Sequence, residues 1–171
     1  MPHVPPLSID ESPEKARPIL EAIEGKFGKS LNIFNTLAHQ PGVLEGVTKI
    51  NDGMQNDLPG KYRELAYYLA SQINGCDYCS HYHRPAAKKE GVSDAQLDAV
   101  KGYAESDLFD EQEKAVLRYT EELTRTSDVS AEAVTGVQGF LNNTQLVTLA
   151  AAVALANFTN RVNHGLGIEL P

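Results

Sequence analysis

The stretch that decides the fold is "LPGKYRELAYYLASQINGCDYCSHYH", Leu58 to His83. A helix starts at Pro59, and from Tyr62 to Ile73 its apolar residues fall on nearly every side, with Leu65, Leu69 and Ile73 as the densest stripe. A helix that is apolar all round is usually buried. Gly75 ends it, which puts Cys76 at or just before the start of a second helix. Two helices joined by one turn glycine, with no alternating strand pattern nearby, predict helix packed on helix.

Helix punctuation continues along the whole chain. Residues 1–11, with Pro2, Pro5 and Pro6, read as an extended arm, suited to packing on a neighbouring subunit or to disorder. Ser12 before Pro13 reads as an N-cap with proline at the first helical position, opening a helix to about Phe27. Shorter helices follow around 32–39 and 42–56. Gly91 closes the helix that begins after Gly75. Ser93 with Gln96 makes a capping box, and Val92 with Leu97 a hydrophobic staple. Asp110 with Glu113 repeats the box, Ser130 caps another helix, and Asn142 or Asn143 caps the Ala-rich one ending near Gly165. The expected fold is all-α: a single-domain bundle of about eight helices over residues 12–171, preceded by the arm 1–11.

At 171 residues the chain is long enough to bury a real core. Its formal net charge of -8 and lack of a Lys/Arg cluster argue against nucleic acid and anionic membranes as partners. "LVTLAAAVALANF", Leu146 to Phe158, is too short to span a bilayer and contains Thr148 and Asn157. The N-terminus lacks the apolar core of a secretory signal. The chain has 2 cysteines, too few for a disulfide framework, so a reducing, cytoplasmic compartment is expected.

Those two cysteines carry the chemistry. With a helical advance of about 100° per residue, Cys76, Cys79 and His83 share a stripe about 60° wide, while Tyr78 and His81 fall on the far side. The positive end of a helix favours a thiolate, the reactive form of cysteine. His83, one turn beyond Cys79, can exchange a proton with it. Cys76, one turn before, can attack an oxidised Cys79 and close a disulfide. This reading requires the two sulfurs to lie together and within reach of a solvent-accessible cavity.

Other readings of the same residues stand beside it. Cys76, Cys79 and His83 could supply three zinc ligands, but a structural site needs a fourth and no second ligand pair exists. Two buried structural cysteines without chemistry are the plainer alternative. Glu64 and Ser71 form a small polar stripe on the preceding helix, and on periodicity Glu64 is either an exposed carboxylate or a buried catalytic one.

Glu64, eleven residues, "CDYC", three residues and His83 together resemble the Glu…Cys-x-x-Cys-x-x-x-His signature of the alkylhydroperoxidase D-like proteins, in the carboxymuconolactone decarboxylase superfamily. The similarity extends through "AAKKEGVSDAQLDAV" and "LANFTNRVNHGLGIEL", and is greatest to the peroxidase-related branch. It implies an all-helical subunit that assembles into homo-oligomers, trimers or hexamers. It implies a peroxidase that reduces organic hydroperoxides or hydrogen peroxide, with Cys79 peroxidatic, Cys76 resolving, and Glu64 and His83 as the proton relay. No metal or organic cofactor is implied, only a thioredoxin-like or lipoyl-bearing reductant. The best-studied members of that family carry a histidine immediately before the second cysteine. Here the residue is Tyr78, which titrates near 10 and relays protons poorly at neutral pH.

The resemblance leaves three other activities open: a lactone decarboxylase, a thiol–disulfide oxidoreductase or redox sensor, and a zinc-stabilised module. Pro85 is expected to kink the second helix or break it beyond His83. Asn160, Arg161, Asn163 and His164 are read as satisfying free carbonyls at the last helix end, or as lining a site or subunit contact. Tyr62, Tyr67, Tyr68 and Tyr82 are read as core and interface filler, and His3 and His39 have no partner pattern.

Overall fold

The computed structural model describes residues 1–170; Pro171, the last residue of the expected 12–171 domain, lies outside the described residues. The α-helices are Arg17–Phe27 (α1), Asn32–Leu37 (α2), Pro41–Gly53 (α3), Gly60–Asn74 (α4), Asp77–Lys89 (α5), Asp94–Ala99 (α6), Glu111–Thr126 (α7), Ala131–Gln138 (α8) and Asn143–Leu166 (α9). A 3-10 segment, Val100–Glu105, follows α6. Among the described residues there is no strand. The chain divides into two compact units, one of Gly53–Asn160 and one of Met1–Asp52 with the segment from Arg161 onward.

In the unit Gly53–Asn160, α4 is the organising rod, packing against α5 and α7. Every residue from Glu64 to Ser71 is buried, as an all-round apolar helix requires. Leu65, Tyr68 and Leu69 pack with Ala87, Val92, Leu97, Val100 and Leu117 on one side. Ala66 packs with Val116, Val137, Leu149 and Val153 on another. The capping boxes form as expected: the Gln96 amide N–H donates to Ser93 Oγ (3.2 Å) and that of Glu113 to Asp110 Oδ1 (2.8 Å). Asn142, not Asn143, caps α9, accepting from the Gln145 amide at 2.9 Å. Gly91 adopts the left-handed φ of +89° and lets the Val92 N–H return to the Ala87 carbonyl (3.0 Å). Val92 and Leu97, the expected staple, are buried in one cluster. The helix α5 continues through Pro85 to Lys89 without breaking.

In the unit containing the N-terminus, Ser12 does not cap α1. Its hydroxyl turns back to the Ser8 carbonyl (2.7 Å), residues 13–16 form turns, and the helix begins at Arg17 with Pro18 in its first turn. Two prolines near one helix start offer two sites, and the second is used. The arm 1–11 is tied to its own chain: His3 N–H donates to the Leu166 carbonyl (2.9 Å), Leu7 N–H to Asn35 (3.1 Å), and His39 Nε2 lies 3.0 Å from the Pro5 carbonyl. The last turn of α9 closes through the backbone. Gly167, at φ +61°, and Ile168 donate to the carbonyls of His164 and Asn163, the role expected of side chains.

Candidate functional site

The joint between α4 and α5 sets the site. Gly75 takes the left-handed φ of +68°, and both its N–H and that of Cys76 (2.9 Å) donate to the Ser71 carbonyl. The chain reverses within this turn, so Cys76 becomes the N-cap of α5. Its sulfur accepts the Cys79 amide N–H at 3.3 Å. Cys79 therefore lies in the first turn, where the positive end of the helix dipole favours negative charge. The two cysteines are not joined as a disulfide.

The reversal lays α5 back along α4 and brings His83 to Glu64. His83 Nδ1 lies 2.8 Å from Glu64 Oε2, and Arg63 Nε lies 3.4 Å from Oε1 of the same carboxylate. Glu64 is 7% exposed, so the exposed-carboxylate reading does not hold. Burial pushes its carboxyl up, but the hydrogen bond and charge of His83, with Arg63, outweigh burial and hold it below the ordinary carboxylate value. An ionised carboxylate only accepts, so the shared proton sits on Nδ1 of His83 and the lone pair of the neutral ring is on Nε2.

Residues read as filler complete the surroundings. The Tyr67 ring stacks on His83, centroids 3.7 Å apart and planes 15° apart. Its hydroxyl meets Thr159 Oγ1 on α9 at 2.7 Å. Behind the joint, Asn160 is fully buried: its amide donates to Ser71 Oγ (3.1 Å) and its oxygen accepts from Asn74 (2.8 Å). Asn160 therefore clamps the end of α4 and does not cap carbonyls. Tyr78 is buried with its ring tilted against Tyr82, and His81 is exposed. No group of three or more His, Cys, Asp or Glu among the described residues is arranged to hold a metal ion.

One requirement is not met in this conformation. Cys76 is 1% and Cys79 4% exposed, because the first turn of α5 faces inward. Half-buried His83 is the nearest part of the set to solvent. Among the described residues no helix is long and apolar enough to cross a membrane.

The carboxymuconolactone decarboxylase family model matches residues 41–122, a span that contains Glu64, Cys76, Cys79 and His83. The protein YdfG of Bacillus subtilis (strain 168) is 28% identical over 115 residues, covering 66% of this chain and 78% of that protein. A peroxidase-related protein with an alkylhydroperoxidase core, from Ralstonia eutropha JMP134, superposes with a TM-score of 0.86 at 20% identity, over 99% of this chain and 92% of that one. The debrominase Bmp8, solved in complex with 2,3,4-tribromopyrrole, gives 0.83 at 19% identity, over 98% and 91%. At such identities the two structures speak for the fold. The family model thus matches the site-bearing helices α4 and α5, a span of somewhat less than half the chain, and the fold is shared with these structures along nearly the full length.

Proposed function

We propose that the protein is a thiol peroxidase that reduces organic hydroperoxides or hydrogen peroxide through Cys79 and Cys76. The observation that carries the reading is the Glu64–His83 pair, 2.8 Å apart, in which Glu64 comes from α4 and His83 from α5, the helix that begins at the two cysteines. In the first step the Cys79 thiolate attacks the outer peroxide oxygen. The S–O bond forms as the O–O bond breaks, and the departing alkoxide takes a proton from the His83 relay. In the second step the Cys76 sulfur attacks the Cys79 sulfenic acid, closing a disulfide and releasing water. A thioredoxin-like or lipoyl-bearing dithiol returns the two electrons.

Access to the two buried sulfurs requires the first turn of α5 to move, and closing the disulfide exchanges the hydrogen bond from the Cys79 amide to Cys76 Sγ for a covalent S–S bond. A homo-oligomer, trimer or hexamer, in the cytoplasm completes the reading; its support is the resemblance alone. Cys79→Ser abolishes turnover, whereas Cys76→Ser permits one turnover and leaves a sulfenic acid that dimedone traps. Full activity in both variants removes the proposal.

A second reading rests on the Cys76 sulfur accepting the Cys79 amide. That bond supports negative charge on the first cysteine, the arrangement of a thiol–disulfide oxidoreductase. Disulfide exchange with a small protein disulfide, faster than reaction with any peroxide and lost in Cys76→Ser, would favour it. The likeness to a debrominase adds a substrate arm. Bromide release from a brominated pyrrole, absent in Cys79→Ser, would shift the oxidant from peroxide to an aryl bromide.

A further inference from the structure

We infer that Tyr67 is a positioning residue for His83: its ring holds the imidazole so that Nδ1 stays on Glu64 and Nε2 remains the basic nitrogen. The inference rests on His83 acting in the proposed proton transfer, and it assigns a role to a tyrosine that spacing marks only as core.

A histidine's outer torsion is broad, with two nearly equivalent ring orientations. A half-buried imidazole held by one hydrogen bond can flip, which puts Cδ2 in the place of Nδ1 and Cε1 in the place of Nε2. The stack at 3.7 Å and 15° covers one face of the ring and opposes rotation out of plane. Tyr67 is itself fixed. It is buried on α4, three residues beyond Glu64, so one helix face supplies both the partner of Nδ1 and the plate beneath the ring.

The far end of Tyr67 is anchored too. Thr159 Oγ1 lies 2.7 Å from the phenol oxygen and 3.1 Å from the carbonyls of Leu155 and Ala156. Thr159 has one hydroxyl proton, and the carbonyls can only accept, so that proton goes to the α9 backbone. The Tyr67 hydroxyl must then donate to Thr159. Burial pushes the phenol far above its ordinary value, and negative charge on Cys79, Glu64 and Cys76 adds to the shift. Tyr67 therefore acts by its ring and not as a proton relay, and it does not stand in for the histidine that Tyr78 replaces.

The test reads His83 directly, without peroxide, by long-range proton–nitrogen NMR on the reduced protein. The expected wild-type result is a single Nδ1–H tautomer, with His83 ring protons shifted upfield by Tyr67 and cross-relaxation between the two rings. Tyr67→Phe keeps the tautomer. Tyr67→Leu and Tyr67→Met, which fill the space without a flat ring, give a mixed tautomer. In the same variants peroxide-dependent thiol loss falls about ten- to a hundredfold, with an altered pH profile, while Tyr67→Phe stays near wild type. Ordinary His83 shifts in the wild type overturn the inference, whatever the variants do. So does a folded Leu or Met variant with the wild-type tautomer and pH profile. A protein that shows the tautomer pattern but consumes no peroxide upholds the positioning role and overturns the peroxidase reading instead.

Discussion

His83 and Glu64 meet across 2.8 Å from two helices joined by the single turn at Gly75 and Cys76, with Arg63 on the other carboxylate oxygen. The arrangement keeps Glu64 ionised and fixes which imidazole nitrogen is basic. The proposed proton relay is drawn from this pairing.

Glu64→Gln removes the charge while keeping the shape. The Gln oxygen still accepts from Nδ1, but the imidazolium formed during proton transfer loses its partner. Peroxide-dependent thiol oxidation is expected to slow by roughly 10²-fold or more, the span of a single acid–base group. Stopped-flow thiol loss measures it, and an unchanged rate would remove Glu64 from the relay.

The same pair sets a dependence of stability on pH. In the folded chain the Glu64 carboxyl is pushed up by burial but pulled further down by His83 and Arg63, to below its ordinary value. It therefore contributes stability that is present above the ordinary carboxylate value and is lost as pH falls through the folded one. Urea unfolding should show the wild type ahead of Glu64→Gln at neutral pH, with the gap narrowing in acid. A gap that widens in acid would reverse the assigned sign.

Much of this was legible in the sequence, and the gaps have physical causes. Ser93/Gln96, Asp110/Glu113 and Gly91 are local signals, satisfied within a few residues, and the structure uses each as expected. The Ser12–Pro13 start failed because Pro18 competes for the same role and Ser12 has a nearer acceptor in Ser8. Glu64 stayed ambiguous because periodicity places a side chain on a face without saying what covers that face. Tyr67 and Asn160 were missed because their partners, His83 and Thr159 or Ser71 and Asn74, are brought to them by packing between helices. A tyrosine three residues beyond the glutamate was the only trace, and core filler shows the same spacing. The burial of both sulfurs is likewise invisible to a helical wheel.

Gly75→Ala tests the joint. An L side chain at φ +68° is strained, although open space surrounds the position. The expected cost is about 1 kcal/mol in urea unfolding, with faster alkylation of Cys76 as the turn loosens. Wild-type stability would show that another residue defines the reversal.

Ser93→Ala serves as the control. It removes an N-cap in the same unit, outside the described thiol and relay contacts, and should cost about 1 kcal/mol. Thiol chemistry should be unchanged. Slower peroxide reaction in this variant would mean that general loosening, and not the Glu64–His83 pair, governs the rates.

The most direct measurement is to mix fully reduced protein with one equivalent of a small organic hydroperoxide and follow both thiols and the peptide spanning Cys76 to Cys79 by mass spectrometry. The expected result is loss of both thiols together, an intramolecular Cys76–Cys79 disulfide, and one alcohol released per disulfide formed. Both thiols persisting beside intact peroxide would contradict it.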